Sequence, residues 1–138
     1  MRDAKPGTIY LKDYTPPAYW IDKTELDFEL HEDQSLVTSR LHIRRNEDSA
    51  EAAELILHGQ EMELLEVAID GHSLSSAQYS VTTSSLTIAS VPETFVLQCK
   101  TRIQPQNNTS LEGLYKSRTM FCTQCEAEGF RKITYYLD

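Results

Sequence analysis

The residues whose side chains could best bind a ligand or take part in chemistry lie close together near the end of the 138-residue chain, between Phe121 and Asp138. Gln124, Glu126 and Glu128 occupy every second position there, so an extended backbone would place all three side chains on one face. A row of one amide and two carboxylates is typical either of a solvated edge or of a site that captures a cation. The cation that best suits several oxygen acceptors of this kind is a primary ammonium group.

Two cysteines, Cys122 and Cys125, form a C-x-x-C pair within the same stretch. One pair supplies two of the four ligands of a structural zinc, and a redox dithiol needs a helix N-terminus to lower its thiol pKa. Both roles stay open as alternatives. Completing a zinc site would require Cys99 and scattered histidines to converge, and no such helix is predicted. We therefore expect Cys122 and Cys125 to be small buried side chains with neither role.

The segment His31–Ser35 begins like the zinc-protease motif His-Glu-x-x-His, in which two histidines one helical turn apart bind one metal. Ser35 stands where the second histidine would be needed. The polar residues of this segment instead predict a hairpin turn.

Composition indicates one globular domain, with 40% hydrophobic and 25% charged residues. The net charge of -8, from 21 acidic and 13 basic residues, argues against a nucleic-acid partner. The chain begins without a secretory signal and carries no apolar run long enough to span a membrane. Three cysteines, an odd number, fit a reducing compartment, so we expect a cytoplasmic protein without a membrane partner.

The elements that must position the tail are predicted to be strands. Residues 1–19, rich in proline and tyrosine, predict an extended arm, and residues 20–138 predict a single β domain. From Trp20 onward the pattern has period two, with one face made of Trp20, Thr24, Leu26, Phe28 and Leu30 and the other of Lys23, Glu25, Asp27 and Glu29. After a turn, basic residues alternate with inward-facing Val37, Leu41 and Ile43, and this pattern predicts a hairpin with cross-strand charge pairs.

Short strands with turn residues between them continue along the chain. They are predicted at 55–58, 64–69, 79–81, 86–89 and 95–103. The last run places Phe95, Leu97, Cys99 and Ile103 inward. A tight turn is expected at Asp70-Gly71, and the polar segment 46–54 has room for one helical turn at most. The pattern predicts an all-β fold, either a β-sandwich or a curved open sheet.

Three segments of the tail resemble the N-terminal domain of the bacterial aminopeptidase N family: 111–115, 122–131 and 133–138. These enzymes are zinc metallo-aminopeptidases with a thermolysin-like catalytic domain. The resemblance extends over the whole chain, and residues 13–21 match more loosely. It implies a saddle-like β domain, cut from a multidomain enzyme, that packs against a catalytic domain. It also implies that this absent domain binds the zinc and that the present chain binds none.

The resemblance assigns roles by motif position. Glu126 would be one of several acceptors for the free α-amine of a peptide substrate, and Gln124 would line the pocket for its first side chain. Glu128, Gly129 and Arg131 would have structural roles, namely ion pairing, a close backbone approach and fixing the direction of the segment. The chain would contribute to an aminopeptidase but be inactive alone.

A different class of protein remains as an alternative. The domain would then be a free-standing β-sandwich interaction module whose acidic tail binds a basic partner. A solitary domain should cover the apolar flank of residues 121–138, whereas a domain severed from its neighbour should expose it.

Overall fold

The computed structural model describes residues 18–46, 54–108, 112–118, 120–125 and 129–137. These residues form antiparallel strands and two short 3₁₀ helices, so the all-β prediction is confirmed. The strands are β1 Tyr19–Leu30, β2 Ser35–Arg45, β3 Leu55–His58, β4 Glu63–Ile69, β5 His72–Ser73, β6 Tyr79–Val81, β7 Ser85–Ile88, β8 Thr94–Ile103, β9 Gly113–Ser117 and β10 Met120–Gln124. The 3₁₀ helices are Pro105–Asn107 and Gly129–Lys132.

Two sheets enclose the main core. A five-stranded sheet has the order β1-β2-β8-β4-β5, and a three-stranded sheet has the order β3-β7-β6. Their facing side chains share one apolar cluster, as in a β-sandwich. Its fully buried members include Leu41, Leu55, Leu57, Leu86, Ile88 and Leu97. The hairpin of β9 and β10 forms a separate two-stranded sheet.

The predicted hairpin of β1 and β2 is confirmed, with its turn closed by a hydrogen bond from the His31 N–H to the Gln34 carbonyl oxygen at 2.9 Å. Charges pair across its outer face. Arg44 Nε lies 2.8 Å from an Asp22 carboxylate oxygen, and His42 Nε2 lies 2.8 Å from Glu25 Oε1. The predicted inward residues of β2 are all buried.

The predicted phase of β1 is wrong at its start. A bulge between Ile21 and Lys23 shifts the register, so that residues before and after it alternate in opposite phase. Tyr19 is therefore the buried residue, at 3% exposure, and Trp20 is 36% exposed. Leu26 lies beyond the bulge and packs against an apolar cluster, but Phe28 and Leu30, predicted on the same face, are exposed at 37% and 45%.

The other predicted strands are confirmed to within about one residue, and β5, β9 and β10 are strands that the sequence analysis did not predict. The four predicted inward residues of β8 are buried. Most of the predicted arm, residues 1–17, and most of the predicted polar segment, 47–53, lie outside the described residues. The sheet begins at Tyr19, inside the predicted arm. Within the described ranges, no helix is long and apolar enough to cross a membrane.

The tail enters the sandwich after the second 3₁₀ helix. Ile133, Thr134 and Tyr135 are all buried, and the Thr134 hydroxyl donates a hydrogen bond to Ser39 Oγ at 3.3 Å. Tyr136 then forms an antiparallel bridge with His58 through two backbone hydrogen bonds of 2.8 and 3.0 Å. The final described residues are thus fastened to both sheets.

Candidate functional site

The candidate site lies at the open end of the β9–β10 hairpin, opposite the turn that joins the two strands. Its strands pair so that Gln124 stands opposite Gly113 and Thr123 opposite Leu114. Leu114 is buried in a second apolar cluster with Val37, and Phe121 packs against the same cluster. One face of the hairpin therefore holds it to the five-stranded sheet.

Gln124 lies on the other face of this hairpin. Neighbouring residues of a strand point to opposite sides, so Gln124 faces away from the cluster that Phe121 contacts. It is exposed and is the last residue of β10. A side chain in this position is free to meet a ligand or a neighbouring domain.

The structure describes only one member of the predicted substrate-contacting pair. Glu126 and Glu128 lie in the segment 126–128, outside the described residues. Their predicted alignment with Gln124 on one extended face therefore stays a prediction. Beyond the strand, the Gly129 N–H donates a hydrogen bond to the Cys125 carbonyl oxygen at 3.2 Å.

The close backbone approach predicted at Gly129 is confirmed. A Cβ atom built there would overlap the Gln124 carbonyl oxygen and would lie 3.0 Å from the Gly113 nitrogen. Gly113 itself has φ +76°, a conformation that favours glycine, and its Cβ would lie 2.8 Å from the Lys132 Cβ. Three backbone segments therefore meet directly beside Gln124.

The expectation that both cysteines of the C-x-x-C pair are buried is wrong. Cys125 is exposed and Cys122 is half-buried, whereas Cys99 is buried. The cause is topological, because among the described strands β10 pairs with β9 alone and Cys125 follows the end of β10. Among the described residues, no group of three or more His, Cys, Asp or Glu side chains is placed to hold a metal ion.

Lys132 is a buried charge that the sequence did not reveal, because an Arg-Lys pair usually lies on a solvated face. Its side chain is 8% exposed, and its Nζ lies 3.6 Å from Glu61 Oε2 and 3.5 Å from Glu112 Oε2. Lys132 and Glu61 border a cavity of about 480 Å³, on whose wall Arg102 and Glu63 form a separate ion pair. Lys132 thus connects the 3₁₀ helix to the start of β9.

Comparison with known proteins identifies the relationship. Aminopeptidase N from Caulobacter vibrioides is 44% identical over 138 residues, which is 100% of this chain and 16% of that protein. The chain is homologous to bacterial aminopeptidase N. The resemblance that the tail predicted, to the N-terminal domain of aminopeptidase N, is confirmed. The chain spans only about one-sixth of the length of this aminopeptidase N relative.

Solved structures agree with this relationship. A Legionella pneumophila aminopeptidase A in complex with aspartic acid superposes with a TM-score of 0.83 at 26% identity, over 91% of this chain and 15% of that one. A mutant M1 zinc metallopeptidase from Deinococcus radiodurans, bound to a Tyr-Ser-Ala substrate, gives 0.68 at 12% identity over 86% and 29%. At that identity the second likeness shows the fold alone. No protein-family model matches the chain.

Proposed function

We propose that this chain is the N-terminal domain of a zinc-dependent aminopeptidase and helps to recognise the free amine of its peptide substrate. The enzyme removes N-terminal amino acids from peptides, and its zinc and catalytic groups lie in another domain. The supporting observation is the 44% identity to an aminopeptidase N across all 138 residues. The chain on its own is inactive under this proposal.

Glu126 accepts the α-ammonium group of the substrate, and Gln124 lines the pocket for the first side chain. An exopeptidase must measure the distance from the charged amine to the scissile carbonyl. A carboxylate held in a largely dry pocket does this, because a ligand without the ammonium leaves that charge unpaired. Loss of one partner of a buried charge pair costs roughly 2–5 kcal/mol.

The domain's partners under this proposal are the N-terminus of a peptide and the catalytic domain of the same enzyme. An apolar side chain exposed at the start of β10 supports a contact with the catalytic domain, since Met120 is 66% exposed beside half-buried Phe121. The Legionella and Deinococcus proteins were solved with an amino acid and a peptide, respectively. The alternative of a free-standing module is disfavoured, because the whole chain aligns with one-sixth of a larger relative. A cytoplasmic location stays a prediction.

Replacing Glu126 with Gln in the full-length enzyme tests the proposal. We expect kcat/KM for an aminoacyl-amide reporter to fall by roughly 10–1000-fold, on the order of 1.4–4 kcal/mol of transition-state stabilisation. Glu29→Gln, which removes an exposed carboxylate from β1, is the matched control and should leave the rate unchanged. An unchanged rate for Glu126→Gln would remove this residue from the site.

Gln124 makes a separate contribution that a second variant tests. Gln124→Ala should change the ratio of kcat/KM values between aminoacyl substrates with long and short first side chains. Because its proposed contact is to the side chain, the requirement for the α-amine should persist. A uniform loss for every substrate would contradict the assigned contact.

A further inference from the structure

We infer that the end of β1 carries a docking surface for the catalytic domain of the same enzyme. The surface consists of Phe28 and Leu30, on the face of the five-stranded sheet that bears the two apolar clusters, here called the inner face. The inference rests on the proposed function in one respect, namely that this chain is one domain of a longer aminopeptidase. It concerns a surface other than the one that presents Gln124.

The register of the sheet places both side chains on its inner face. Phe28 pairs with Val37, and Leu30 pairs with Ser35, which pairs in turn with Ile103 of β8. Residues directly opposite each other in an antiparallel sheet point to the same side. Val37 and Ile103 belong to the second apolar cluster, so Phe28 and Leu30 lie on the face that this cluster occupies.

Within the described structure, the cover over this end of the inner face stops between β2 and β1. Val37 and Ser35 on β2 are 0% exposed, and Ile103 on β8 is 4% exposed. Phe28 and Leu30 on β1, in contrast, are 37% and 45% exposed. The inner face therefore ends in an apolar step, with a buried floor under β2 and β8 and an open floor at β1.

The cover itself comes from the elements that carry the candidate site. Leu114 of β9 and Ile133 of the tail are buried members of the second cluster, and Phe121 of β10 packs against it. The open floor at β1 thus continues the cluster that holds the β9–β10 hairpin. A domain that meets this hairpin is close enough to fill the step as well.

Length and charge favour the catalytic domain over a second copy of this chain as the occupant. The chain spans 16% of the Caulobacter relative, so most of such an enzyme lies outside it and is available to cover an apolar face. Two copies would each bring a net charge of -8. The turn beside Leu30 also exposes Glu32 and Asp33, so copies that met through this surface would repel each other. The partner surface should be apolar at its centre and basic where it faces this turn.

The test measures the reactivity of introduced cysteines in the 138-residue chain and in the full-length enzyme. Leu30→Cys and Phe28→Cys should react with a maleimide about tenfold or more slowly in the full-length enzyme, because a docked domain excludes the reagent. Glu29→Cys is the matched control, since Glu29 lies between them, is exposed and points to the opposite face. Its rate should differ by less than about threefold between the two proteins. Mass spectrometry of the β1 peptide separates these thiols from the native cysteines.

Hydroxyl-radical oxidation of the unmodified Phe28 and Leu30 side chains gives the same comparison without any substitution. Equal reactivity in the two proteins would overturn the docking surface, as would equal protection of Glu29→Cys. Protection in the 138-residue chain that disappears on dilution would show that a second copy is the occupant, and would overturn the inference as well.

The kinetics of Gln124→Ala judge the proposed function separately. If Gln124→Ala alters the preference for the first side chain and Leu30→Cys is not protected, only the docking inference fails. If Leu30→Cys is protected and Gln124→Ala lowers every rate equally, the assigned substrate contact fails and the docking surface stands.

Discussion

Glu25 is the residue whose ionisation the fold changes most clearly at the surface. The hydrogen bond from His42, at 2.8 Å, and then the charge of Lys23 lower the pKa of the Glu25 carboxyl below its ordinary value of 4.5. A carboxyl with a lowered folded-state pKa stabilises the protein above its unfolded-state pKa. That contribution is lost as the pH falls through the folded-state value.

We therefore expect Glu25→Gln to lower the urea midpoint of the 138-residue chain at about pH 6. The difference from the unmodified chain should shrink as the pH falls below 4.5, where the unmodified carboxyl also becomes neutral. Glu29→Gln, on the same face of β1, is the control. A difference that stays constant across this acidic range would show that the Glu25 charge is not the cause.

The three cysteines should differ sharply in reactivity. Burial raises the pKa of the Cys99 thiol to about 12, so it carries almost no thiolate at neutral pH, and its sulfur is inaccessible. Cys125 is exposed and Cys122 is half-buried. Mass spectrometry after brief maleimide treatment should find label at Cys125 first, then at Cys122, and at Cys99 only in urea. Labelling of Cys99 in the folded chain would contradict its buried position.

Residue burial was predictable along β2 but not at the end of β1, where Phe28 and Leu30 keep the alternation and are nevertheless exposed. Val37, Leu41 and Ile43 were placed correctly, because one face of β2 is buried along its whole length. Trp20 was misplaced, since the bulge at Ile21 leaves no clear mark in the sequence. The exposure of Cys125 was missed because it depends on β10 lying at an edge, which local sequence does not encode.

Among the elements, the tail after the second 3₁₀ helix contributes a large aromatic side chain to the main core. Tyr135 is buried in the main core, and its ring lies against Gly59. Tyr135→Ala should lower the free energy of unfolding of the chain by roughly 3–5 kcal/mol, as for other large aromatic deletions in cores. Tyr115→Ala removes the same atoms from the half-buried outer face of β9 and should cost less than half as much. Urea unfolding measures both, and equal losses would contradict the anchoring role.

The tail also contains a buried segment that local sequence patterns do not predict. Hairpins such as β1–β2 follow from alternation and turn residues, which are local signals. Ile133, Thr134 and Tyr135 are consecutive and all buried, because the sheets cover them from both sides. No period of two or 3.6 describes such a segment. The roles of Gln124 and Glu126 came from family resemblance, because a polar row by itself fits a solvated edge equally well.

At the scale of the whole molecule, the sandwich serves as a support for an edge hairpin. Side chains of its two main sheets share one buried apolar cluster. Gln124 lies outside that core, at a strand end that faces away from it. This division suits a domain that supplies one wall of a site and leaves the reacting groups to a neighbour.

The 138-residue chain should therefore fold but show no aminopeptidase activity with added zinc. A catalytic zinc requires three protein ligands held around an open position, and the four histidines of this sequence include no His-Glu-x-x-His pair. The experiment incubates the purified chain with zinc and an aminoacyl-amide reporter, beside the full-length enzyme at equal concentration. Turnover that co-purifies with the chain and falls in the Glu126→Gln variant would contradict the prediction. Activity that persists unchanged in that variant would instead identify a contaminating enzyme.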